Sequence, residues 1–112
     1  MLNINEIIKT QQRLDIFLKK DLDLEGFKGL YNPDKQKITI FYSNIQDKKD
    51  MDLTLLHEFI HARDDICYSK IYYIKDIIDY ETSTENEAIE TYQEKPHILK
   101  LIKDLYNIKK DS

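Results

Sequence analysis

The sequence predicts an α+β fold: about four helices and a small antiparallel β-hairpin, in a single domain spanning residues 1–112. Three observations carry this. Apolar side chains recur at three-to-four spacing in the first twenty residues, between Leu53 and Ile60, and again after Pro96. Between the first two of these stretches, Lys37–Tyr42 alternates, with Ile38, Ile40 and Tyr42 on one face and Thr39 and Phe41 on the other. The length, 112 residues, suits one domain whose core is barely large enough to stand alone.

In chain order, Ile4, Ile7, Ile8, Gln11, Leu14, Phe17 and Leu18 predict a helix over residues 3–20, with Lys9, Arg13 and Lys19 on its wet side. Both glycines, Gly26 and Gly29, follow it, and Phe27–Tyr31 reads as a short strand. Asn32-Pro33-Asp34-Lys35 is a turn, because proline presets φ at its second position and asparagine suits its first. Residues 27–42 therefore form a hairpin. After a polar connection, Asp50 or Asp52 caps a helix running to about Asp65. Residues 67–80 fit helix and extended chain equally. Thr82-Ser83-Thr84 is a cluster of capping residues, which predicts a third helix over 84–94. Pro96 ends that helix and opens a fourth, with Ile98, Leu101, Ile102 and Leu105 as its stripe.

Composition removes several function classes. The chain carries 17 basic and 21 acidic side chains, a net charge of −4, which argues against a nucleic-acid partner held by bulk charge. One cysteine builds neither a disulfide framework nor a multi-cysteine zinc site. Two glycines do not make a phosphate-cradling loop. Nothing resembles a signal peptide or approaches the ~20 apolar residues of a membrane span. The expectation is a soluble, cytoplasmic protein in a reducing compartment.

The chemistry lies in His57-Glu58-Phe59-Ile60-His61, an H-E-x-x-H pattern. On a helix, residues four apart share a face, so two neutral imidazoles can reach one tetrahedral ion. Glu58, beside the first imidazole, is then placed to take a proton from an attacking water. Leu53, Leu56, Phe59 and Ile60 form the stripe that holds this helix down.

Catalytic zinc usually takes three protein ligands. The six-residue step beyond His61 that supplies a third histidine in metzincins reaches Cys67 instead. His97 is the one remaining histidine, and Glu81, Glu85, Glu87, Glu90 and Glu94 all lie downstream. Glu87 fits a capping box with Thr84, but Thr82 and Glu85 offer the same box and leave Glu87 free. Asp64, Asp65 and Thr91 are candidates to orient the ligands. Tyr72, Tyr73, Tyr80, Tyr92 or His97 is available to stabilise an oxyanion.

His57-Glu58-Phe59-Ile60-His61 together with Asn86-Glu87-Ala88-Ile89 resembles the gluzincin metallopeptidases. In length and element order the chain is most similar to the minigluzincins, minimal soluble scaffolds related to integral-membrane prenyl-protein and heat-shock metalloproteases. The small zincin domains of phage-repressor-cleaving peptidases are the nearest confusable group. The resemblance implies a zincin-like scaffold in which His57, His61 and Glu87 bind Zn2+ and Glu58 is general base and acid in peptide hydrolysis. The alanine after Glu87 would let two helices approach closely around the metal. It further implies a strand edge, expected at Lys37–Tyr42, that receives an extended peptide or protein substrate. It also implies a latent zymogen with a terminal segment in the cleft, either Pro96–Ser112 or the N-terminal helix, which leaves self-association through that segment open. The alternative is a module that binds zinc but is catalytically silent.

Overall fold

The computed structural model describes residues 1–108. Its elements are α1 (Ile4–Gln11), β1 (Asp15–Lys19), β2 (Gly29–Asn32), β3 (Lys37–Phe41), α2 (Lys48–Tyr68), α3 (Ile77–Glu94) and α4 (Pro96–Leu105). Short 3-10 turns occupy Tyr42–Asn44 and Lys70–Tyr73. The fold is α+β, with a three-stranded sheet in the order β1-β3-β2. That sheet is mixed: β1 runs parallel to β3, and β2 antiparallel to it.

The first expected helix is only half a helix. Asn3 caps α1 by accepting from Glu6 N, and the Glu6 carboxylate accepts from Asn3 N in return. The helix ends at Gln11, and Asp15–Lys19 leaves it to pair with β3. Leu14, Phe17 and Leu18 fit a helical period while Leu14, Ile16 and Leu18 fit a period of two, and sheet pairing decides between them.

The hairpin forms as expected. The Asn32 side chain accepts from Asp34 N and Lys35 N, which closes the turn. Because β1 also pairs with β3, Lys37–Phe41 is the central strand, flanked on both sides. It therefore has no free edge for a peptide, and the edge expected there belongs to β2 instead.

Helix α2 begins earlier than expected. Its cap is Asp47, which accepts from Asp50 N at 2.8 Å. The Asp50 carboxylate instead accepts from Lys28 Nζ and Gln46 N, and Asp52 is buried against Lys103. Helix α3 begins seven residues before its expected start at 84, with Asp76 accepting from Ile78 N and Asp79 N. Thr82-Ser83-Thr84 therefore lies inside the helix and caps nothing. The Thr84 hydroxyl donates to Tyr80 O one turn back. Pro96 opens α4 as its residue type favours.

The core gathers Leu55, Leu56, Phe59 and Ile60 of α2 against Ile38 and Ile40 of β3, with Ile7, Ile98 and Ile102 closing it. A second, charged centre sits further along α2. Arg63 is 6% exposed and donates to Asp64 (2.7 Å), Glu6 (3.0 Å) and Glu87 (2.8 and 3.0 Å), joining α1, α2 and α3. Among the described residues, no helix is long and apolar enough to cross a membrane.

Candidate metal centre

Helix α2 presents His57 and His61 one turn apart, facing α3. Ala62 and Ala88 are both fully buried in the shared core. His57 Nε2 and His61 Nε2 are 3.1 Å apart, and Glu81 brings Oε2 to 3.0 Å from the first and Oε1 to 3.0 Å from the second. His57, His61 and Glu81 thus form a group that could hold a metal ion. Ligand atoms at ~2.0–2.1 Å around a tetrahedral ion are about 3.3 Å from one another, close to these separations.

The Tyr80 hydroxyl donates to Asp64 at 2.8 Å, so at 3.0 Å from His61 Nδ1 its oxygen accepts. The His61 proton is therefore on Nδ1, and its Nε2 carries a bare lone pair. His57 Nδ1 faces the Glu85 carboxylate at 2.7 Å, and a carboxylate only accepts. In neutral His57 the proton is on Nδ1 as well. Two imidazole lone pairs and a carboxylate then converge with no hydrogen between them, an arrangement that a cation relieves. Burial also lowers the His61 pKa, which favours the neutral form a metal needs.

Glu58 is buried beside this group, and burial pushes its carboxyl up to about 7 despite the opposing pull of His57. A cation at the imidazoles would draw it down again. Across from it stands Gly29 of β2. A Cβ at position 29 would lie 2.9 Å from Glu58 Cγ and 3.0 Å from Thr54 Cγ2. Glycine is the residue that lets the strand approach the helix this closely.

The β2 strand is an edge, and its pairing fixes what it offers. Phe41 N donates to Lys28 O, so that pair is hydrogen-bonded and the next is not. By alternation, Gly29 and Tyr31 turn their N–H and C=O groups away from β3, toward the open side. There a cleft of about 400 Å³ separates β2 from the Ile71–Glu81 stretch and reaches His57, Glu58 and His61.

The remaining expected residues are distributed differently. Glu87, the expected third ligand, lies about 120° round α3 from Glu81 and is held by Arg63. The structure brings Glu81 to the imidazoles in its place and sets Glu85 behind His57. Glu90, Glu94 and His97 are exposed on α3 and α4. Cys67 packs by Thr10 and the Glu6 carbonyl, away from the centre. Asp64 and Asp65 are both buried and used: Asp64 by Tyr80 and Arg63, Asp65 by the Tyr31 hydroxyl at 2.5 Å. Thr91 is fully buried, and its hydroxyl has no hydrogen-bond partner among the described residues. Tyr72 and Tyr73 are exposed, and Tyr92 lies near Lys49. Among the described residues, neither α1 nor α4 lines the cleft, and residues 109–112 of the expected plug lie outside the described residues. Comparison with protein-family models, curated proteins and solved structures yields no match.

Proposed function

We propose that the protein is a zinc-dependent metallopeptidase of gluzincin type, with His57, His61 and Glu81 as its metal ligands. The observation that carries this is the convergence of the His57 and His61 Nε2 atoms and the Glu81 carboxylate beside the buried Glu58. Bound there, zinc supplies Lewis acidity toward a peptide carbonyl and lowers the pKa of water toward ~7. Glu58 takes the proton of the attacking water and passes it to the leaving amine. Tyr80 and Glu85 orient the two imidazoles through their Nδ1 atoms. The open N–H and C=O groups of Gly29 and Tyr31 receive the substrate as an added strand.

The test is metal analysis and peptide hydrolysis on protein purified without a histidine tag. The expected result is one zinc per chain, with hydrolysis abolished by a chelator and restored by zinc. Glu58→Gln should keep the metal and lose at least about a hundredfold in rate. A Glu58→Gln protein as active as the parent would sink the reading. Bound zinc with no hydrolysis of any peptide would leave a silent zinc-binding module.

A further inference from the structure

We infer that the cleft selects peptides with a bulky aliphatic or aromatic side chain on the N-terminal side of the bond presented to Glu58, and a polar residue on its C-terminal side. This selectivity rests on the peptidase reading and adds its substrate class.

The two flanks of Glu58 differ in chemistry. Toward the C-terminal ends of β2 and of the His57–His61 turn, the walls are Tyr31, Ile71, Ile74, Ile77 and Tyr80. Toward the N-terminal end they are Lys28, Asp50, Thr54 and Glu85, with Leu53 the single large apolar side chain. The apolar wall is also incomplete. Ile77 is 60% exposed at the start of α3, and Ile71 and Ile74 are only half-buried. Leaving that much aliphatic surface wet costs stability, and a bound side chain lying against it recovers the loss.

Direction follows from topology. The chain from Lys28 through β2 to Tyr31, and α2 from Asp50 to His61, both run from the polar flank to the apolar one, which Phe27 also lines. A peptide adding to the open edge of β2 in the more stable antiparallel sense runs the other way. Its N-terminal half then passes Tyr31 and Ile74, and its C-terminal half passes Lys28 and Thr54. The residue before the scissile bond meets isoleucines, and the residue after it meets charged and hydroxyl groups.

The experiment separates binding from turnover. Zinc-loaded Glu58→Gln protein is titrated with labelled, end-capped hexapeptides carrying Leu, Phe or Asn before the central bond, and the same three after it. Cut sites of the parent are mapped on a peptide library. Leu and Phe before the bond should bind about tenfold or more tighter than Asn, and the swap after the bond should show no such gain. Ile74→Asn or Ile77→Asn should erase the preference while leaving zinc content unchanged. Either substitution alone suffices, and the exposed Ile77 can be replaced with little risk to folding. Equal binding of Leu and Asn peptides overturns the inference, as does an apolar preference mapped to the C-terminal side. A preference that survives both isoleucine substitutions overturns it too. Selective binding without any cleavage by the parent overturns the peptidase reading and leaves the selectivity standing. Cleavage without preference does the reverse.

Discussion

The Nε2 atoms of His57 and His61 stand 3.1 Å apart, and on the far side of each ring Nδ1 faces an oxygen, that of Glu85 for His57 and of Tyr80 for His61. Glu81 completes the group, so its removal should matter most. Glu81→Ala is expected to lower zinc affinity by more than the ~10–100-fold typical of an orienting partner, which is the smaller effect expected of Glu85→Ala. Glu87→Ala should leave zinc affinity within a factor of two or three. Competition with a chromophoric chelator reads all three. Equal losses from Glu81→Ala and Glu87→Ala would overturn the ligand set.

Glu87 has a different duty, in stability. Its carboxylate takes two hydrogen bonds from the buried Arg63, which still keeps Glu6 and Asp64. Glu87→Ala should destabilise the metal-free protein by about 1.5–3 kcal/mol. Urea unfolding at neutral pH measures it, and an unchanged midpoint would show that the pair contributes nothing.

Tyr80→Phe tests the orientation of His61. The change removes the oxygen that accepts from His61 Nδ1 and donates to Asp64. Zinc affinity should fall about 10–100-fold. The far-ultraviolet circular dichroism should be retained, since Asp64 still holds Arg63.

Gly29→Ala probes the width between β2 and α2. The added methyl meets Glu58 Cγ at 2.9 Å and Thr54 Cγ2 at 3.0 Å, so strand, carboxylate or both must shift. Hydrolysis should drop about tenfold or more while zinc stoichiometry stays at that of the parent. Loss of zinc together with activity would place the damage at the imidazoles instead.

Acid stability should depend on Glu6. Burial alone would raise its carboxyl, but the hydrogen bond from Tyr68 and the charge of Arg63 outweigh burial and hold its pKa below the ordinary 4.5. The folded state thus binds this proton less readily than the unfolded chain. Its contribution is complete above about pH 4.5 and is lost as pH falls through the lower folded value. Urea midpoints should decline over that acidic window, and Glu6→Gln should flatten the decline. An identical pH profile for the variant would remove Glu6 from the account.

His57, Glu58 and His61 were legible because their relation is local: one helix, one turn, one face. The carboxylate that joins them was not, because it depends on where α3 starts and how it is rotated against α2. Three capping residues at 82–84 suggested a late start, yet Asp76 ahead of Ile77-Ile78 is the cap that forms. That earlier start makes residues 77–83 helical and sets Glu81, rather than Glu87, opposite the imidazoles. A similar ambiguity hid β1, where Phe17 supports a helical period and Ile16 a period of two around the shared Leu14 and Leu18, and only pairing with β3 separates them. The edge strand followed from the same pairing, since β1 takes the side of β3 that sequence left vacant.

The six-residue step from Glu81 to Glu87 acts as a ruler between two anchors on α2. One end reaches His57 and His61, and the other reaches Arg63. A helix gains about 100° of rotation per residue. Inserting or deleting one residue between positions 81 and 87 would therefore leave at most one of the two anchors engaged. Side-chain identity within the interval is freer than its length, so indels there should be tolerated far less than substitutions at the exposed Thr82, Ser83 or Asn86.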